Sequence, residues 1–312
     1  MARRGGSNEE RGPTLTHRLE YAAVRAGQAI VCALPAGAAR ESGAALGAFA
    51  FSVLRVRRDL AVRQISAALG PGLPRVEAER IALGAYRNFG RMTFEYARFP
   101  RLTRRDVETV VSVTGAEHLR DALARGKGAV LVAAHYGNWE IAAALATMGY
   151  PVSFLVGEQH NALVDALMNR LRQGLGVETI PLTGSLRGVF RALRANRIVA
   201  MLSDQDAGRT GIFVDFFGRS ASTPYGPARF AVATGAALLP GVAVRRPGGR
   251  HELVIAPPVA APEGVPPEEA ARVLTQAYTS VFEEFIRLHP DHYFWMHRRW
   301  KTRPDGTREP RG

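Results

Sequence analysis

The apolar positions of this chain change period at about residue 105. Up to there they fall at helical spacing and are rich in Ala: Val24, Ile30, Val31 and Leu34, then Leu46, Phe49, Phe51, Val53 and Leu54. This predicts two helices between Leu15 and Arg63, separated near Pro35-Ala36-Gly37, with Arg55, Arg57, Arg58 and Arg63 closing the second. Gly70-Pro71-Gly72 breaks the pattern, and Ile81, Leu83, Tyr86, Phe89, Met92 and Phe94 mark a further helix over 76–96. Beyond 105, short β-branched runs alternate with helical stretches. Strands are expected at 107–113, 129–134, 152–156, 177–181, 199–202, 237–244 and 251–256, the last antiparallel after Pro247-Gly248-Gly249. Helices are expected at 116–124, 161–171, 189–194 and 268–288, the last following a proline-rich connector. Strands alternating with helices are the sequence form of βαβ units. The expected fold is therefore α/β, with a central mixed, mainly parallel sheet flanked by helices and preceded by a helical segment. The organisation expected is a disordered tail over 1–14, a helical segment over 15–105, the α/β domain over 106–304 and a short tail over 305–312.

Ala129 to Glu140, AVLVAAHYGNWE, organises the second part. A run of small and branched apolar residues reads as a strand buried on both faces. It ends in His135, turns through Gly137 and Asn138, and restarts as a helix bearing Trp139 and Glu140. A histidine at the C-terminal end of such a strand sits where open α/β sheets bind ligands. On one ideal helix, residues five apart point about 140° away from each other. His135 and Glu140 can therefore meet only if the Gly137 corner folds His135 back, with Asn138 as N-cap. Such a pair would be a base and its carboxylate without a protein nucleophile, the nucleophile being a substrate hydroxyl. The alternative is a structural His followed by a Glu that favours a helix start.

Four ordered stretches carry a resemblance. HYGNWE at 135–140 resembles the H-x4-D/E motif of the lysophospholipid acyltransferase superfamily, in the form found in the lipid A lauroyl/myristoyl acyltransferases. Asp204-Gln205-Asp206 with GIFVDFFG at 211–218, TPYGPAR at 223–229, and YFWMHRRWK at 293–301 resemble three further blocks of that family. The resemblance implies a glycerol-phosphate-acyltransferase-like fold and transfer of an acyl group from acyl carrier protein or acyl-CoA to a hydroxyl of an acidic glycolipid. His135 would be the base and Glu140 its partner, with no cofactor and no metal. The substrate-binding residues would be Gly137 and Asn138 (through backbone N–H groups on the oxyanion), Arg172, Asp204, Gln205, Thr223 and Arg229. Arg172 is implied at a substrate phosphate, the alternative being an ordinary exposed helical arginine; Asp204-Gln205 would position a sugar hydroxyl or order the following loop, and Thr223 and Arg229 would touch the acidic headgroup. Phe213, Phe216 and Phe217 could line an acyl channel or be core. The aromatic and basic residues at 295–301 could meet an interface or phosphate, or form a solvated face.

Charge adds one constraint. Lys and Arg number 41 against 28 Asp and Glu, a formal charge of +13, which implies an acidic partner. No zinc-finger, RRM-like or basic-zipper pattern accompanies it, so anionic lipid or an acidic carrier is expected rather than nucleic acid. A lone cysteine, Cys32, excludes an intrachain disulfide framework. Arg25, Arg40 and Glu41 interrupt the N-terminal apolar run, so peripheral or monotopic attachment to the cytoplasmic face of an inner membrane is expected instead of a span. Other lipid acceptors (a mannoside, an ornithine lipid, a lysophospholipid) and a catalytically silent lipid-binding relative are the alternatives.

Overall fold

The computed structural model describes residues 12–307; the expected tails fall largely on residues 1–11 and 308–312, outside the described residues. Four helices come first: α1 (Leu15–Ala33), α2 (Ala36–Ser52), α3 (Arg58–Leu69) and α4 (Arg75–Ala97). Thr14 caps α1 by accepting the His17 N–H. The expected second helix is two helices, because the chain turns at Arg55 and Arg57, with φ of 52° and 50°. The four arginines thought to close one helix are thereby dispersed. Arg57 donates to the Met296 carbonyl, and Arg58 pairs with Glu79 and lies over Phe51.

The small residues of α2 serve packing. A Cβ on Gly43 would lie 2.4 Å from the Gly90 carbonyl oxygen, and one on Gly47 2.1 Å from that of Tyr86. Only glycine lets the α2 and α4 backbones touch in this way.

The run expected as a strand at 107–113 is split. Thr103 and Asp106 form a reciprocal capping box that starts α5 (Arg104–Val110), and only Val111–Thr114 continue as β1. There follow α6 (Ala116–Ala124), β2 (Ala129–Gly137), a 3-10 turn at Trp139–Ala143 running into α7 (Ala144–Thr147), β3 (Val152–Val156), α8 (Ala162–Gln173) and β4 (Glu178–Pro181). Next come α9 (Ser185–Arg194), β5 (Ile198–Leu202), the hairpin β6 (Ile212–Phe216) and β7 (Arg219–Thr223), α10 (Gly226–Thr234), β8 (Ala237–Arg245), β9 (His251–Ile255) and α11 (Pro267–Leu288).

The sheet order is β1-β9-β8-β2-β5-β3-β4. Neighbours are parallel except β8 and β9, so the sheet is mixed and mainly parallel, as expected. The hairpin stands apart. Strand alternation sends Val130, Val132, Ala134 and Tyr136 of β2 into one apolar layer with residues of α9, α10 and α11. Ala129 and Leu131 face the other layer, with Met92, Tyr96 and Ile141. Buried on both faces, β2 sits at the middle of the sheet.

The C-terminal block belongs to the first layer and is not a solvated face. Trp295 is 1% exposed, Arg299 2% and Trp300 4%. Arg299 donates to the Ser222 carbonyl and to Thr223 Oγ1, while Gln64 Nε2 donates to the carbonyls of Trp295 and His297. Phe294 N–H donates to the His135 carbonyl at 3.0 Å, so this tail clamps the end of β2.

Candidate active site

β2 does not stop before His135; it runs on to Gly137 with a register shift after Ala133. Gly137 has φ of 59°, and a Cβ there would fall 1.7 Å from the Ala243 carbonyl oxygen of β8. This position therefore requires glycine. Strand alternation keeps His135 on the face of Leu131 and Ala133, with all three lining one cavity.

Asp204 follows the end of β5, the parallel neighbour of β2. Its Oδ1 lies 2.7 Å from His135 Nδ1, and its Oδ2 accepts the His135 backbone N–H at 3.0 Å. One carboxylate thus fixes both ring and backbone. Burial opposes ionisation of Asp204, but the charge and hydrogen bonds of His135 outweigh it and hold the carboxyl below its usual range. With Nδ1 donating to Asp204, Nε2 is the basic nitrogen, and Gln205 Nε2 approaches it at 3.4 Å. The His135 ring packs edge-on against Trp139, their centroids 5.0 Å apart, and tilted against Phe294.

The expected His135–Glu140 pair is corrected by this geometry. Glu140 is 6% exposed and accepts two hydrogen bonds from Arg172, 2.9 Å from Nε and 2.6 Å from Nη2. Nη1 of the same guanidinium donates to Asn169, and its plane lies over Tyr96. Arg172, expected at a substrate phosphate, is thus committed to a buried bidentate pair joining the 3-10 turn to α8.

The other expected substrate contacts are placed as follows. Gln205 lines the cavity. Asn138 is fully buried and, although at the helix-start position, makes no cap; its Nδ2 donates to Glu95. Glu95 is also bound by Arg245 and faces His251. Burial alone would raise the Glu95 carboxyl, but hydrogen bonds from His251 and Arg245 bring it down to about 2. This network anchors the Gly137-Asn138 corner, which does not itself line the cavity. Thr223 is buried under Arg299, not offered to a headgroup. Arg229 is exposed on α10, over Tyr225 and outside the cavity. Phe216 and Phe217 are core, packed with Trp300 and Trp295, and Phe213 is on the separate hairpin; none lines the cavity.

The cavity has a volume of about 570 Å³. It lies between the sheet face and the second half of α4, with His135, Gln205, Glu140 and Arg172 among the polar members and Leu131, Met92, Phe154 and Met168 among the apolar ones. Small residues create the space: Ala133, Ala142, Ala200, Gly241 and Ala243 line it where larger side chains would fill it. Sequence reading missed it, because it is made by eight elements spread along the chain from α4 to β9. Among the described residues no three His, Cys, Asp or Glu side chains converge as metal ligands would.

The model of the bacterial lipid A biosynthesis acyltransferase family matches residues 11–302. The chain belongs to that family. It is 29% identical to the lipid A biosynthesis lauroyltransferase of Escherichia coli over 283 residues, 89% of this chain and 90% of the relative. It is 36% identical to the phosphatidylinositol mannoside acyltransferase of Mycobacterium tuberculosis over 176 residues, 54% of this chain and just over half (55%) of that relative's length. Among solved structures, the 1-acyl-sn-glycerophosphate acyltransferase of Thermotoga maritima aligns at TM-score 0.39 and 16% identity, over 80% of this chain and 98% of its own.

Proposed function

We propose that this family member moves a fatty acyl group from an acyl thioester to a hydroxyl of an acidic glycolipid, with a lipid A precursor as acceptor. The observation that carries the reading is the apolar cavity with a carboxylate-held histidine at one end. From His135 to Leu131 along β2 is about 13 Å, enough to lay an extended acyl chain on the sheet face. In the reaction His135 Nε2 takes the proton of the acceptor hydroxyl and Asp204 stabilises the resulting imidazolium. The oxygen attacks the thioester carbonyl, the C–S bond breaks, and the imidazolium returns its proton to the leaving thiolate. Glu140 and Arg172 shape the wall next to this centre. The match to a mannoside acyltransferase supports a second acceptor class, a phosphatidylinositol mannoside, acylated by the same steps.

The test offers labelled acyl thioester with each acceptor in turn and identifies the product by mass spectrometry. Acylated lipid A precursor supports the first reading, acylated mannoside the second. Stoichiometric label left on denatured protein without acceptor would overturn direct transfer. Chain length offers an independent check. Ala200 lies in register with Leu131 at the far end of the cavity. Ala200→Leu should shift preference to shorter donors, by roughly fourfold for each methylene excluded, from about 0.8 kcal/mol per buried methylene. An unchanged chain-length profile would show that the chain lies elsewhere.

The same proposal places the protein peripherally at the cytoplasmic face of the inner membrane. Among the described residues no helix is long and apolar enough to cross a membrane. Leu15, Leu19 and Ile30 of α1 are 73%, 62% and 65% exposed, and they fall within about 60° of one another around the helix. Val53 and Leu54, at the end of α2, are similarly exposed, beside Arg55. Together these suit shallow insertion among anionic lipids. Sedimentation with anionic vesicles should be weakened by salt and lost in Ile30→Glu/Leu54→Glu; binding unaffected by that pair would place the contact on another surface.

A further inference from the structure

We infer that the side-chain amide of Gln205 is the oxyanion donor of the reaction: its N–H binds the thioester carbonyl oxygen as that oxygen takes up negative charge. The inference rests on the thioester-donor reading and deepens it. The backbone N–H groups of Gly137 and Asn138, expected in this role, do not line the cavity. A donor must therefore come from elsewhere on the wall near His135. Several side chains of that wall are already committed. Arg172 donates to Glu140 and Asn169, Thr93 Oγ1 to the Phe89 carbonyl and Tyr96 to the Met168 carbonyl.

Gln205 is half-buried, lines the cavity and is not committed in this way. Its Nε2 lies 3.4 Å from His135 Nε2, longer than the roughly 2.9–3.0 Å usual for an N–H donor to oxygen. With Nδ1 donating to Asp204, Nε2 offers a lone pair, and the amide rests loosely on it. An incoming acceptor hydroxyl donates to Nε2 in the amide's place. The displaced N–H groups are then beside the carbon that the hydroxyl attacks. Once Nε2 has taken the proton it no longer accepts, so the amide cannot return while the carbonyl carbon is tetrahedral. The hydrogen bond to the oxyanion is thus made where it lowers the barrier.

A neutral donor suits this place. A lysine or arginine here would oppose the imidazolium, and a carboxylate would repel the oxyanion. An amide does neither. The residues on both sides of Gln205 are pinned. Asp204 holds the ring and the backbone N–H of His135. The Asp206 N–H donates to His297 Nε2 at 2.9 Å, and its carboxylate accepts from Thr302 and the Gly208 N–H. Burial pushes the His297 imidazole down to about 4, so its Nε2 remains an acceptor at neutral pH. In the step itself the hydroxyl proton passes to His135 Nε2 and the C–O bond forms. The carbonyl π pair moves onto oxygen under the amide N–H. Collapse then breaks the C–S bond, and the thiolate takes the proton from Nε2.

The test compares Gln205→Met, which keeps the length and loses the donor, on an acyl thioester and on the matching dithioester, in which C=S replaces C=O. Sulfur accepts hydrogen bonds poorly, so the amide has little to lose with the second substrate. Gln205→Met should lower kcat with the thioester by about 10²–10³-fold. With the dithioester, kcat should stay close to that of the wild type, and acceptor KM and melting temperature should not move. Gln205→Ala is measured in parallel, so that a folding defect in one variant leaves the other to decide. Trp139→Phe, which loses the indole N–H beside His135, should cost both substrates alike. Equal loss with both substrates in the Gln205 variants would put the amide on the nucleophile or the base, and overturns the assignment. So does a raised acceptor KM at unchanged kcat, which would put it on a sugar hydroxyl. A thioester-selective loss in Trp139→Phe, absent from the Gln205 variants, would give the oxyanion to the indole. If the wild type consumes no acyl thioester, the donor reading fails and this assignment with it; an active wild type with equally active Gln205 variants overturns the assignment alone.

Discussion

His135→Ala abolishes acyl transfer while the melting temperature is retained, and Asp204→Asn lowers kcat by about 10²–10⁴-fold with little change in acceptor KM; these are the expected results of removing the base and its anchor. Asp204 holds Nδ1 and the backbone N–H of His135 at once, so the asparagine disturbs both the charge and the tautomer that leaves Nε2 basic. The contact with His135 holds the Asp204 carboxyl below its usual range, so the group that orients the ring is a carboxylate. A kcat within threefold of wild type would remove Asp204 from the mechanism. The cutoff of about threefold is set well below the expected loss.

Arg172→Ala is expected to act on stability first. It leaves the Glu140 carboxylate buried and without its two hydrogen bonds, a change that typically costs about 3–5 kcal/mol. For a chain of this size the melting temperature should fall on the order of 10 °C. Replacing both members, as in Glu140→Gln/Arg172→Met, should recover much of that loss, since no buried charge is then left alone. Had the guanidinium been free for a substrate phosphate, Arg172→Ala would instead raise acceptor KM with the melting temperature unmoved. That second pattern, measured by thermal melts beside acceptor titrations, would show that the pair opens when substrate binds.

The contrast between these two carboxylates shows where sequence reading stops. His135 with an acid five residues on is a legible motif, and Asp204 is legible as an acid just beyond the strand expected at 199–202. Which acid the imidazole takes is not, because the choice depends on β5 lying beside β2 and on α8 bringing Arg172 to Glu140. A basic residue on a predicted helix carries no mark of whether its partner is a substrate or a glutamate from another element. The same holds for Arg299, whose block reads as aromatic and cationic and therefore exposed. It is buried with a carbonyl and a hydroxyl of β7 accepting from Nη1 and Nη2, while its Nε has no partner among the described residues. One error was avoidable: Thr103 and Asp106 spell a capping box, and local hydrogen bonds at that cap override the β-branched run behind it.

By itself the sequence determined what local physics determines. Small and branched runs became buried strands, as in β2; apolar residues at helical spacing became α4 and α11; and proline and glycine clusters marked the breaks between them. Period and turn chemistry act within a few residues, so a single chain suffices to read them. Only the tertiary structure decided that the glycines of α2 meet α4, that Asp204 holds His135, and that Ala133, Ala200 and Gly241 leave a cavity between them. Each of these depends on close packing between elements far apart along the chain. A change of one methyl group there alters the contact without altering the pattern from which the fold is read.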